Sequence, residues 1–294
     1  MSAGGVVAAL DIGGTHVSAG RVDLARRAVE AGSRARIELQ GTGCGPELLS
    51  EILRAASAVV RPDVDRVGIA IPGPFDYDSG VSRMEHKLLG LYGVDLRSEL
   101  CEALALPASA LRFVNDAEAF LIGEWWAGAA RDHVRAVGIT LGTGLVSAFL
   151  ADGRIARDGP EVPPGGQLYT LSFRGAPVED TVSSRGLLRA CKGRDAGLLD
   201  VEGIAVRAAT GEPRARRAFE ELGRALGEFL APWLERFQPT CLVVGGSIAR
   251  SWQLFEQSLR TELESVAGLE TVTPAAHIDD APLLGVAWQV GGAG

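Results

Sequence analysis

Asp11-Ile12-Gly13-Gly14-Thr15 puts a carboxylate two positions ahead of paired glycines and a hydroxyl. Adjacent glycines let the backbone approach an anion and turn several N–H groups toward it. Thr15 adds a hydroxyl donor, and Asp11 is placed to hold a water of Mg²⁺. Gly142-Thr143-Gly144 repeats the arrangement. A lone glycine turn reads as an ordinary hairpin; Asp11 and the buried strand before the first favour function there, and two such turns in one chain favour a phosphate clamp. Asn115-Asp116 stands at a strand end, where ligand groups gather in open α/β sheets. Asp116 suits a base that takes a proton from an attacking hydroxyl. The same pair suits a helix N-cap, and the two readings weigh evenly. Gly245-Gly246 follows Val243-Val244, so a flat ring can lie on the backbone there, although strand–Gly–Gly turns are common.

These groups need strands and helices behind them. Val6 to Leu10 and Val17 to Val22 read as two strands of a hairpin with a glycine-rich tip. Val67 to Ile71 is a short buried strand stopped by Pro72-Gly73-Pro74. Apolar spacing predicts helices over Pro46 to Val60, near Leu96 to Leu104, from Asn115-Asp116 to about Ala129, and over Trp252 to Val266. A long helix carries Phe219, Leu222, Leu226, Phe229, Leu230, Trp233 and Phe237 on one stripe and stops at Pro239. Residues 75–95 and 157–185 read as loops. Residues 136–153 repeat the strand, Gly/Thr turn, strand and Asp of residues 6–23. That internal repeat implies two similar α/β halves with a cleft between them.

At 294 residues the chain suits one large domain or two lobes. The net charge of -8 argues against nucleic acid and anionic membrane as partners. Cys44, Cys101, Cys191 and Cys241 are scattered, which gives no zinc knuckle or redox pair. The apolar run Val6 to Leu10 is too short for a signal or a span, so a cytoplasmic location is expected. Lysine occurs only at Lys87 and Lys192 among 29 basic residues, which draws attention to His86-Lys87.

The motifs, in this order, resemble the ROK family of sugar kinases and sugar-responsive repressors within the actin-like ATPase superfamily. The resemblance covers nearly the whole chain: LDIGGT, Pro72-Gly73 with Gly80 beyond it, FVNDAEA, LGTG, VVGGSIA and Leu284-Gly285-Val286-Ala287. It implies an α/β, actin-like (ribonuclease H-like) two-lobed fold with a central cleft. The expected lobes are a small one at 1–115, completed by about 281–294, and a large one at 116–280. The implied reaction is ATP- and Mg²⁺-dependent phosphoryl transfer to a hydroxyl of a sugar. Asp11, Gly13, Gly14 and Thr15 would form the first phosphate loop, Gly142, Thr143 and Gly144 the second, and Gly245 and Gly246 the adenosine loop. Asp116 would be the base, with Asn115 and Gly73 on the acceptor side. The oligomeric state is left open, a homodimer included.

Departures from the family pattern carry further expectations. Where relatives have an acceptor-binding G-E-x-G-H stretch, this chain has Gly166-Gln167-Leu168-Tyr169-Thr170. The family's zinc cysteines are absent, so no zinc site is expected. Glu179 follows the family pattern and is expected to keep a sugar contact. His86 and Lys87 occupy the place of a sugar-binding Asn; a solvated loop pair is the plainer reading. Leu145-Val146-Ser147-Ala148 replaces several glycines, which should put a side chain near the phosphates. Plain glucose is therefore expected to be a poor acceptor, and a modified sugar or one with an acidic group near Lys87 a better one. A repressor would need a DNA-binding module ahead of the strand that starts at Val6. A non-catalytic sugar or nucleotide sensor is the remaining alternative.

Overall fold

The structure, a computed structural model, describes residues 5–39, 43–85, 87–191 and 200–291. The chain divides into two compact units, residues 1–131 with 279–294, and residues 132–278.

In the first unit β1 (Val6–Ile12) and β2 (His16–Asp23) form the hairpin. Two short edge strands follow, β3 (Ala28–Val29) and β4 (Ala35–Glu38). Helix α1 (Gly45–Val59) starts with a proline in its first turn, where the missing N–H costs nothing. It buries Leu48, Ile52, Ala55, Ala56 and Val59 against the sheet. Strand β5 (Val67–Ile71) is buried throughout and precedes a small hairpin, β6 (Phe75–Asp76) and β7 (Val81–Ser82). Helix α2 (Leu96–Leu104) is capped by Asp95, which accepts from the Ser98 N–H, and ends on left-handed Ala105. Strand β8 (Leu111–Asn115) then runs directly into α3 (Asp116–Ala127). The sheet order is β3-β2-β1-β5-β8, with β4 also on β2. Strands β1, β5 and β8 are parallel, so their carboxyl ends bring Asp11, Ile71 and Asn115 to one edge.

The second unit repeats the opening with β9 (Arg135–Leu141) and β10 (Leu145–Ala151). Strand β11 (Arg154–Ile155) extends it, and a small hairpin of β12 (Ser172–Phe173) and β13 (Ala176–Pro177) lies within the stretch read as loop. Helices α4 (Ser184–Cys191), α5 (Val201–Ala209) and α6 (Pro213–Phe237) follow. The apolar stripe of α6 buries Phe219, Leu222, Leu226, Phe229, Leu230, Leu234 and Phe237. At about 1.5–3 kcal/mol per large apolar side chain, this stripe is a principal stabiliser of the unit. Strand β14 (Cys241–Gly245) is parallel to β9 and leads to a 3₁₀ turn, Ile248–Leu254. The sequence predicts one helix over 252–266. The structure instead has α7 (Glu256–Leu263) after that turn, because the turn runs to Leu254 and the backbone leaves the helical region at Phe255, with φ -134°. Strand β15 (Thr271–Pro274) completes the order β11-β10-β9-β14-β15.

Helix α8 (Ala281–Gly291) belongs to the first unit. It covers the sheet face formed by Val7, Ala9, Ala70 and Val114 together with α3. The helices touch backbone to backbone: a methyl on Gly123 would overlap the Ala281 carbonyl, and one on Gly285 the Ala119 carbonyl. This contact keeps α3 in the first unit, past the 115/116 division expected from the sequence. Among the described residues no helix is long and apolar enough to cross a membrane.

Candidate active site

Asp11 lies near the end of β1, half-buried, and pairs across the ladder with Ser18 of β2. Ser18 in turn pairs with Arg36 of β4. Burial pushes the Asp11 carboxyl up to about 7; repulsion from Asp116 adds to this, and the Arg36 charge opposes it. The first turn is closed by Gly13 N–H donating to the His16 carbonyl, 2.9 Å. Gly14 and Thr15 at its tip are exposed, and a methyl on Gly14 would meet nothing within 4 Å. Packing therefore does not demand glycine at position 14, and the bare backbone is open to a ligand. The Thr15 hydroxyl lies 3.1 Å from His16 Nδ1.

Of the two readings of Asn115-Asp116, the helix cap is directly visible in the structure. The Asn115 side chain caps α3, its Oδ1 accepting from the N–H groups of Ala117 (3.1 Å) and Glu118 (3.4 Å). Asp116, the first residue of α3, also accepts from the Ala117 N–H, 2.9 Å. Burial raises the Asp116 pKa above the ordinary carboxylate value, and the charge of exposed Lys87 pulls it back. Asp11, Asp116 and Lys87 thus form one electrostatic group in the first unit. His86 lies outside the described residues.

Tyr77 joins this group without any signal in the motif pattern. Its hydroxyl donates to the Ile71 carbonyl at 3.2 Å and accepts from Asn115 Nδ2 at 3.0 Å. A methyl on Gly73 would sit 3.5 Å from that hydroxyl, so Gly73 borders the same polar group.

In the second unit the Gly142-Thr143-Gly144 turn is closed by Gly142 N–H to the Gly144 carbonyl, 3.0 Å. The Gly142 carbonyl accepts from both the N–H and the hydroxyl of Ser184, at 2.8 and 2.7 Å. Glu179 Oε1 accepts from the Leu145 N–H at 2.9 Å, and Glu179 Oε2 faces Arg185 at 3.4 Å. A methyl on Gly144 would overlap that carboxylate. The residue expected at the sugar thus has its carboxylate on the backbone of the second hairpin.

Gly246 has φ +83° and packs against the Leu141 backbone, where any side chain would clash. Gly142 is within 3.5 Å, measured from an added methyl, of the Ser247 hydroxyl, so the Gly245-Gly246 turn adjoins the second hairpin. Gln167 is half-buried and Thr170 exposed; the Thr170 hydroxyl donates to the Gln167 carbonyl at 2.8 Å. Buried Ser147 ties this stretch to β10, donating to the Gly166 carbonyl at 2.7 Å and accepting from the Leu168 N–H at 2.9 Å. Leu145 is in the core and Ser147 bonds the 166–168 backbone, so of the residues that replace glycine near the turn, Val146 alone stays half-buried on the other face.

No group of three or more His, Cys, Asp or Glu side chains able to hold a metal occurs among the described residues. The oxygen donors at Asp11 and Asp116 suit a hard cation held mainly through water and phosphate, as Mg²⁺ is. Their mutual repulsion is what such a charge would relieve.

A sequence profile described as the ROK family matches residues 7–292. The chain is 30% identical to N-acetylmannosamine kinase of Citrobacter koseri over 95% of this chain and 96% of that protein. It is 26% identical to glucokinase of Thermotoga maritima over 95% of each. In structure it is similar to the ROK hexokinase of Thermus thermophilus, with TM-score 0.73, 25% identity and 96% of each chain covered.

Proposed function

The chain belongs to the ROK family and has its actin-like α/β fold, and from that premise we propose that it is a sugar kinase that uses ATP. Its relatives include kinases of both a plain and an N-acetylated sugar, so the acceptor class is a sugar hydroxyl. The observation that carries the reading is Asp116: a carboxylate with raised basicity at the end of β8, beside Asn115 and Lys87.

In the reaction a sugar hydroxyl hydrogen-bonds to Asp116. Its proton passes to that carboxylate as its oxygen attacks the γ-phosphorus in line. The bond from that phosphorus to the bridging oxygen breaks and ADP leaves. The N–H groups of Gly14 and Thr15 serve the phosphates, as do those of Thr143 and Gly144, because the Gly13 and Gly142 N–H groups close their own turns. The Gly245-Gly246 turn takes the adenosine. Mg²⁺, when bound, neutralises charge on the phosphates, and Asp11 is the residue that would hold one of its waters.

The acceptor is a modified sugar in preference to plain glucose. Gln167 both donates and accepts where a carboxylate only accepts, and Thr170 leaves space. Lys87 supplies a cation beside the base. A screen of ADP release from ATP with sugars, amino sugars, acidic sugars and cyclitols tests both statements. ADP release with a modified sugar above that with glucose is expected. Glucose as the best acceptor ends the finer reading, and the absence of ADP release with every acceptor ends the kinase reading. A non-catalytic sensor is the second reading, favoured by the Glu179 carboxylate on a phosphate-loop N–H, and the same screen decides it.

A further inference from the structure

The hydrogen-bond chain through Asn115 has a direction fixed at both ends. An asparagine amide offers an oxygen that accepts and two N–H groups that donate. The N–H groups of Ala117 and Glu118 only donate, so Oδ1 must be the atom that faces α3. The Ile71 carbonyl only accepts, so the Tyr77 hydroxyl gives its proton there and receives one from Nδ2. The Tyr77 ring packs on Phe75 at 5.3 Å between centroids, and Phe75 packs on Phe113 of β8 at 5.1 Å. The amide can neither flip nor swing freely, and one Nδ2 N–H remains uncommitted to this chain of bonds.

We propose that Tyr77 is a specificity-determining residue: by orienting Asn115 it makes position 115 a donor-only contact, so the sugar must present there a hydroxyl oxygen that accepts. The placement of the sugar beside Asn115 rests on the kinase reading; the polarity of the contact rests on the bonds above. A hydroxyl next to the one held by Asp116 is the group within reach. An N–H with no acceptor opposite it is costly, so a sugar without that oxygen is rejected.

Deoxy and deoxyfluoro analogues of the acceptor, made at each hydroxyl in turn, test this, because C–F accepts weakly and never donates. At one position the fluoro analogue is expected to retain about two- to threefold more kcat/KM than the deoxy analogue, the low end of one hydrogen bond's worth. In Tyr77→Phe that ratio falls to about one while the parent fold, followed by thermal denaturation, persists. A purely structural role for Tyr77 would lower both analogues together and leave the ratio intact. Equal fluoro and deoxy activity at every position of the wild type overturns the proposal, as does an unchanged ratio in Tyr77→Phe. Should Tyr77→Phe fail to fold, Asn115→Ser keeps a capping oxygen for α3 and removes the amide. Its ratio is expected to be about one, and a retained ratio overturns the proposal. Calorimetric binding of the same analogues gives the ratio without turnover. A binding ratio that persists without ADP release sinks the kinase reading alone, and a ratio of one with normal ADP release sinks this inference alone.

Discussion

The β1–β2 and β9–β10 hairpins share a plan, but their tips are in opposite condition. Each is a buried strand, a glycine turn and an antiparallel return strand with a one-to-one register. At the first tip Gly14 is exposed with open space around it, and the charged groups stand behind it on β1, β4 and α3. At the second tip Ser184 holds the Gly142 carbonyl and Glu179 holds the Leu145 N–H. A duplicated strand–turn–strand supplies a frame with free N–H groups. Which side chains the rest of each unit sends to that frame decides whether the turn waits for a ligand or is already bonded.

The largest effect tests the charged group behind the first hairpin. Asp116→Asn should lower kcat at least about a hundredfold, the low end for loss of a general base, with sugar binding retained in calorimetry. Near-normal turnover would move the chemistry away from this hairpin. Next comes the contrast between the turns themselves. Gly144→Ala should destabilise the protein by about 1 kcal/mol in denaturant unfolding, because the methyl pushes the end of the Glu179 side chain off its bond to Leu145. Gly14→Ala should stay within about 0.5 kcal/mol of wild type while raising KM for ATP. Equal stability losses would erase the distinction.

Smaller still, Glu179→Gln keeps an oxygen for Leu145 but removes the charge beside the turn proposed to hold a phosphate. A non-hydrolysable ATP analogue should then bind about fivefold tighter without sugar, the ~1 kcal/mol of a partly exposed charge contact. Weaker binding would make Glu179 a support of the loop and nothing more. The smallest effect is that of Lys87→Ala. Asp116 acts ionised, burial raises its pKa and Lys87 lowers it. Removing Lys87 should therefore shift the acidic limb of the kcat/KM profile to higher pH, raise KM for the sugar and leave KM for ATP nearly unchanged. A shift to lower pH, or none, would detach Lys87 from the base.

The frame was readable from the chain because its signals are local. Short, largely apolar runs, residues 6–10 ahead of Gly13-Gly14-Thr15 and residues 136–141 ahead of Gly142-Thr143-Gly144, announce both hairpins, and Val67–Ile71 and Leu96–Leu104 lie where the pattern predicts them. Strand β4 gave no such signal: four half-buried and exposed residues at a sheet edge are too few for a period to register. Its Arg36 nonetheless reaches Asp11 electrostatically, because β2 lies between them in register. Tyr77 and Asn115 are 38 residues apart and meet only because β5 and β8 end side by side. Glu179 was readable as a polar residue of interest, but its bond to Leu145 depends on how the 157–185 stretch folds back, which its glycines and prolines leave undetermined in sequence.

The contact of α3 with α8 has a consequence during synthesis. The strands of the first unit leave the ribosome early, yet the helix that covers Val7, Ala9, Ala70 and Val114 is encoded after residue 280. At the usual pace of translation, residues 132–278 take roughly 7–30 s to be made. Through that interval one face of the first sheet lacks its cover, while the second unit is continuous in sequence and can close on its own. The half that carries Asp11 and Asp116 thus cannot complete its apolar core until α8 has been made.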